Sequence, residues 1–198
     1  MTVDSRLADQ IRFVVEIDKL KQVLRQTWLT DQSRKENSAE HSWHLGVMAI
    51  VLSEYAIRRD IDLLRVLKMA LIHDLVEIDA GDTFVYDEVA ARDKQEREQR
   101  AAARIFGMLP PDQADEFRQL WEEFEARRTA EARFAAALDR LQPILHNYHT
   151  RGKAWREHGV TSDKVMARNG HMAEGSPQLW EYATQLIADA IAKGDLTE

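Results

Sequence analysis

His73 and Asp74 stand side by side in the run Val66-Leu67-Lys68-Met69-Ala70-Leu71-Ile72-His73-Asp74-Leu75-Val76-Glu77, which is otherwise almost wholly apolar. An imidazole and a carboxylate withdrawn from water need partners, and a divalent cation satisfies both at once. Glu77 follows four residues after His73, so on a helix the two share a face, and Asp74 lies near enough round that helix to reach the same ion. Upstream, Glu40-His41-Ser42-Trp43-His44 offers His41 from a facing helix. Downstream, Asp139 interrupts the apolar stretch Ala137-Leu138-Asp139-Arg140-Leu141, and a carboxylate buried there also wants a partner.

Each of these residues has a plainer reading beside the chemical one. His73 and Asp74 can form an imidazole–carboxylate pair with no metal, and Asp139 can form a simple ion pair with Arg140. Glu77 can complete a hydrogen-bond network, and Asp82 after Gly81 can serve a turn. Glu40 reads as a helix-start acid, His44 as a packing residue or a support for His41, and His146 and His149 as rim residues. Trp28 either stacks on a base or sugar or packs in the core.

The elements that must position these side chains are helices. Apolar residues recur at three- and four-residue intervals almost throughout, and no alternating run with turn punctuation marks a strand, so the fold class is all-α. A first helix carries the stripe Leu7-Ile11-Val14-Val15-Leu20-Leu24, and Thr30 to Glu36 forms a polar connection. A second helix starts near Asn37 or Ser38, where Glu40 three residues on suggests a capping box, and runs toward Arg58. The third opens at Asp60 or Asp62, is apolar nearly all round from Leu63 to Ile78 as a central helix should be, and ends at Gly81. The charged run Arg92 to Arg100 reads as a solvated face. After the break at Leu109-Pro110-Pro111, helices follow over 115–127 and 129–148, then short pieces punctuated by Gly152, Gly159, Gly170 and Gly175, and a terminal helix from Gln178 to about Lys193.

Composition narrows the function. The 198 residues, 44% of them hydrophobic, suffice for one well-buried core. The absence of cysteine excludes disulfides, thiolate metal sites, iron–sulfur clusters and a cysteine nucleophile, so any metal rests on His and carboxylates. A net charge of −7 argues against coating a nucleic-acid polymer and requires a local cation wherever an anion binds. No apolar run approaches the roughly 18 residues that cross a bilayer, and no signal peptide is evident, which makes a cytoplasmic protein without membrane contact the expectation.

Three segments together resemble a known family. Arg34-Lys35-Glu36-Asn37-Ser38-Ala39-Glu40-His41-Ser42, His73-Asp74-Leu75-Val76-Glu77-Ile78-Asp79-Ala80-Gly81-Asp82 and Leu138-Asp139-Arg140-Leu141 are similar, in order and approximate spacing, to motifs of the HD-domain metal-dependent phosphohydrolases, in particular the 5′-deoxynucleotidase-like branch. The resemblance implies an HD-type helical bundle over residues 1–150, with 151–198 a C-terminal helical extension packed on the same domain. It implies His41, His73, Asp74 and Asp139 as ligands of one divalent ion, with Glu77 and Asp82 near the phosphate and the attacking water. Arg34 is then the phosphate-binding cation and Trp28 a substrate contact, although relatives carry Arg immediately before that Trp where this chain has Thr27. Two imidazoles and two carboxylates suit Mn, Co, Fe, Ni, Zn or Mg. The implied activity is release of phosphate from a small phosphomonoester such as a (deoxy)nucleoside 5′-monophosphate, by a homodimer. An HD phosphodiesterase or nucleotide-alarmone hydrolase, and a non-catalytic module that senses metal or nucleotide, are the alternatives. The lack of any His from Leu75 to Leu138 speaks against dinuclear variants.

Overall fold

The computed structural model describes residues 4–87, 89 and 92–198. The chain opens with α1 (Ser5–Glu16), capped by the Asp4 carboxylate, and tightens into a 3₁₀ turn over Ile17–Gln22. A small antiparallel hairpin follows, β1 (Leu24–Trp28) against β2 (Lys35–Asn37). The remaining elements are α2 (Ser38–Leu52), α3 (Leu63–Ile72), α4 (Glu77–Ala80), α5 (Lys94–Phe106), α6 (Pro111–Ala126), α7 (Ala130–His149), α8 (Lys153–Glu157), α9 (Ser162–Asn169), α10 (Met172–Gly175) and α11 (Pro177–Ala192).

Local signals set most helix ends. The Asn37 side chain accepts from the Glu40 backbone N–H while the Glu40 carboxylate accepts from the Asn37 N–H, a reciprocal capping box at the start of α2. Pro111 opens α6 where a missing N–H costs nothing, and Gly81 ends α4 with φ of 74°, a conformation other L-residues avoid.

Three expectations are corrected. The first helix does not reach Leu24: its continuation becomes the hairpin, whose strands are short, polar and irregular in register between Leu24 and Trp28, so no alternation announced them. The helix over Leu63–Ile78 is not continuous. It passes at His73 into a 3₁₀ segment, His73–Val76, before α4 resumes. Nor is it the centre of the domain, because Leu64 and Leu71 face solvent. That position belongs to α7, which packs against α2, α3, α6, α8, α10, α11 and β1. Ala132, Ala135 and Ala137 let neighbours approach α7 closely, while Phe134, Leu138 and Leu141 fill the space between. Each such large side chain contributes roughly 1.5–3 kcal/mol by leaving water.

Asn37→Ala removes one half of the capping box and leaves a helix N–H unsatisfied beside the site. Thermal unfolding should show a loss of about 1 kcal/mol, a fall in Tm of roughly 2–4 °C.

Candidate metal centre

His41 from α2, His73 and Asp74 from the 3₁₀ segment, and Asp139 from α7 converge in the interior, each at most 7% exposed. His41 Nε2 lies 3.0 Å from Asp139 Oδ1 and 3.8 Å from Asp74 Oδ2. His73 Nε2 lies 3.0 Å from Asp74 Oδ1 and 3.8 Å from Asp139 Oδ1. The 3₁₀ tightening matters here, since three residues per turn rotate consecutive side chains by about 120° rather than 100°. The shared-face argument for an unbroken α-helix therefore does not apply to His73 and Glu77.

The outer ring nitrogens decide what the inner ones can do. His73 Nδ1 sits 2.9 Å from the Ala70 carbonyl oxygen, which can only accept, so Nδ1 carries the proton. His41 Nδ1 sits 2.8 Å from Gln142 Oε1, and the amide is oriented by its other end, where Gln142 Nε2 donates to Glu36 Oε1 at 2.6 Å. In the neutral rings both Nε2 atoms thus present lone pairs toward two carboxylates. His73 Nε2 is buried with no hydrogen-bond partner despite the nearby carboxylate. Acceptors facing one another demand positive charge; His41, His73 and Asp139 each bring one ligand atom within 4.8 Å of the others, a set that fits a divalent transition ion, with Asp74 beside it. Without metal the demand falls on protons. Burial opposes charge on His73, but Asp74 and Asp139 outweigh it and raise its pKa to about 9. Burial also disfavours an ionised Asp139, yet Arg140, whose Nη2 lies 3.4 Å away, and the hydrogen bond with His41 hold it well below the usual carboxylate range.

A cavity of about 320 Å³ opens on this cluster, lined by His73, Asp74 and Asp139 and also by Glu77 and Asp82. Glu77 accepts from Ser38 Oγ at 2.6 Å, and burial together with the charges of Asp74 and Asp82 raises its pKa well above the ordinary range. Asp82 is raised by burial and by Asp74. Phe124 packs on the His73 ring with centroids 4.5 Å apart and lines the same cavity.

Of the two residues expected on the substrate side, neither lines the cavity. Arg34 is half exposed and forms a two-point ion pair with Glu40. Trp28 donates through Nε1 to Glu157 at 2.8 Å and lies under the Lys153 ammonium, 3.3 Å from the ring centroid. Arg25 is a largely buried cation at the site. Its Nη1 donates to Asp74 Oδ2 at 3.1 Å, and although burial opposes its charge, the carboxylates of Asp74, Asp82, Glu77 and Asp139 keep it protonated. Nothing in the linear pattern distinguished Arg25, because a strand of the irregular hairpin carries it in. Lys94 and Arg140 line the cavity too, and Lys94 with buried Glu98 turns one face of the charged run inward, against the expectation of a solvated helix. The segment after residue 150, unassigned by the sequence, builds a further wall through Trp155, Asn169 and His171.

The HD domain family model matches residues 17–180, a span that contains all four converging side chains. The chain belongs to the HD-domain family. Several relatives resemble it at different distances. Human 5′-deoxynucleotidase HDDC2 is 33% identical over 136 residues, covering 68% of this chain and 65% of the human protein; the fission-yeast 5′-deoxynucleotidase hdd1 is 28% identical over 143 residues, covering 70% of each. The chain thus spans just under two thirds of the human relative. A solved structure from Magnetospirillum magnetotacticum MS-1, described as a predicted metal-dependent phosphohydrolase, superposes with a TM-score of 0.94 at 58% identity, covering 98% of this chain and 97% of that one. The fold expectation of an HD-type helical bundle holds, with a two-stranded hairpin beside the helices. No described helix is long and apolar enough to cross a membrane.

A folded-state pKa of about 9 against an ordinary 6.5 means that charged His73 stabilises the metal-free protein fully below about pH 6.5, and that this contribution is lost as pH rises through about 9. The Tm of chelator-treated protein should fall across that window, and His73→Gln should flatten the fall. Equal slopes in wild type and variant would contradict the assignment.

Proposed function

We propose that this HD-domain chain is a metal-dependent phosphohydrolase that releases phosphate from a (deoxy)nucleoside 5′-monophosphate by direct attack of water. The observation that carries the reading is that Glu77, Asp82 and Arg25 line the same cavity as His73, Asp74 and Asp139, which joins a proton acceptor and an anion-binding group to a metal-binding cluster. The names of the relatives favour a nucleotide over other phosphomonoesters. His41, His73, Asp74 and Asp139 hold the ion, which when bound polarises phosphoryl oxygens and acidifies water.

The protein's own groups supply the rest. Glu77, made a stronger base than an ordinary carboxylate by burial and its acidic neighbours, takes the proton of the water whose oxygen bonds to phosphorus. As the bond from phosphorus to the 5′ oxygen breaks, the departing alkoxide takes up the proton that Glu77 has received, with Asp82 lining the same cavity beside it. Arg25, with Arg140 and Lys94, offsets charge on the phosphoryl oxygens in a chain whose net charge otherwise repels them. Phosphate binding is assigned to Arg25 in preference to Arg34, and the Trp28 side chain to support of the 151–158 segment.

The assay is phosphate release by metal-loaded protein from a panel of ribo- and deoxyribonucleoside 5′-monophosphates and a generic phosphomonoester. His73→Ala should abolish release. Glu77→Gln should lower kcat by roughly 10²–10⁴-fold with metal still bound. Arg25→Gln should raise KM by about tenfold or more, whereas Arg34→Gln should change it by less than about twofold. Tight metal binding with no release across the panel would replace this reading by the sensing module.

The same reading includes a homodimer. α1 exposes Leu7, Ile11, Val14 and Val15, and α2 exposes Trp43, Val47, Ile50 and Val51 at helical spacing. Apolar faces of this kind mark association surfaces. Light scattering should return twice the 22.9 kDa chain mass, reduced to one chain by Val47→Asp with Val51→Asp.

A further inference from the structure

Beyond the His41 side of the centre, a second group of metal-ligating side chains comes together. Glu36 on β2, His44 on α2 and His146 on α7 bring one carboxylate oxygen and two imidazole nitrogens within 4.8 Å of one another. None of the three lines the cavity, and the reaction derived above uses none of them. Glu36 is 1% exposed and His146 5%.

Their hydrogen bonding is incomplete in a particular way. Glu36 Oε1 accepts from Gln142, but Oε2 is buried without a partner. His146 bonds to the Trp28 backbone, yet its Nδ1 is buried without a partner as well. His44 Nδ1 lies 3.3 Å from Gln142 Nε2, and the His44 and His146 rings stand 5.8 Å apart between centroids. A carboxylate oxygen and an imidazole nitrogen, both buried and unsatisfied on side chains that come together, carry a desolvation cost that one shared partner removes. Arg25 is the cation already near: its Nε lies 3.7 Å from Glu36 Oε2 but forms no hydrogen bond, and its Nη1 donates to Asp74.

We propose that Glu36, His44 and His146 bind a second divalent ion of the zinc, cobalt or nickel type, distinct from the ion held by His41, His73, Asp74 and Asp139. Two imidazoles and one carboxylate suit these borderline metals and leave a position for water, whereas magnesium and calcium prefer oxygen donors alone. The ion ties β2, α2 and α7 together where α2 and α7 also present His41 and Asp139. It shares Gln142 with the first centre, since that amide bridges Glu36 and His41. The inference concerns binding and stands whether or not the cavity hydrolyses phosphate.

The test is metal content and position. Full-length protein stripped with chelator is reloaded with Zn²⁺ or Co²⁺, dialysed to equilibrium, analysed for bound metal, and crystallised for anomalous diffraction at the absorption edge. Wild type should show an anomalous peak among Glu36, His44 and His146. His146→Gln should lose that peak and one equivalent of metal per chain while keeping the peak at His41 and His73. His44→Ala, at a less buried position, should lose the same equivalent if His146→Gln fails to fold. His73→Ala should show the converse pattern. Density without anomalous signal at this position, indicating a water, would overturn the proposal, as would unchanged metal content in both folded variants.

Discussion

Two imidazole Nε2 atoms and two carboxylates face one another inside the helical bundle, and in their neutral-ring forms none has a proton to give the others. The interior cannot tolerate that arrangement unless positive charge enters it, as a metal ion or as protons on the rings. The surrounding structure is built to preserve the demand. Ala70 and Gln142 each hold the outer nitrogen of a ring and so aim the inner lone pair at the centre. A single amide orientation at Gln142, dictated by Glu36, therefore governs which tautomer His41 adopts.

The same electrostatics shape the cavity. Glu77 and Asp82 sit close enough to Asp74 that burial and like charge lift both above ordinary carboxylates, while Asp139, beside Arg140 and the two imidazoles, moves the other way. Carboxylates lining one cavity thus acquire opposite shifts in proton affinity from their burial and their charged neighbours. Cations brought in from separate elements, Arg25 from β1, Lys94 from α5 and Arg140 from α7, make the cavity receptive to anions in a chain of net charge −7. Membership of the HD-domain family is shared with the relatives, and the hydrolysis of nucleotides is the function we propose from these features.

Much of this was legible before the fold was known, for physical reasons that differ by residue. Asn37, Glu40, Pro111 and Gly81 mark helix ends because capping and φ preferences act within one turn of chain. His73, Asp74 and Asp139 stood out because ionisable side chains amid apolar residues declare a need for partners, whatever supplies them. The hairpin was invisible because its residues are polar, its strands short and its register irregular, and its stability comes from α2 and α7 packed beside it. Arg34 drew attention through its place in a motif, yet Glu40 claims it on the surface, six residues away.

Residue type and local spacing were enough to establish helices, their termini and the side chains able to ligate a metal, since those properties depend on interactions within a few residues. Tertiary packing decided that α7 rather than α3 lies at the centre, that the helix tightens at His73, and that Arg25 rather than Arg34 lines the cavity. It also decided that Glu36, Gln142 and His146, more than a hundred residues apart in part, form one buried polar layer with His41 and His44. Such convergence has no periodic trace along the chain, because it arises from which helix faces meet, and that is set by the shape and volume of every buried side chain between them.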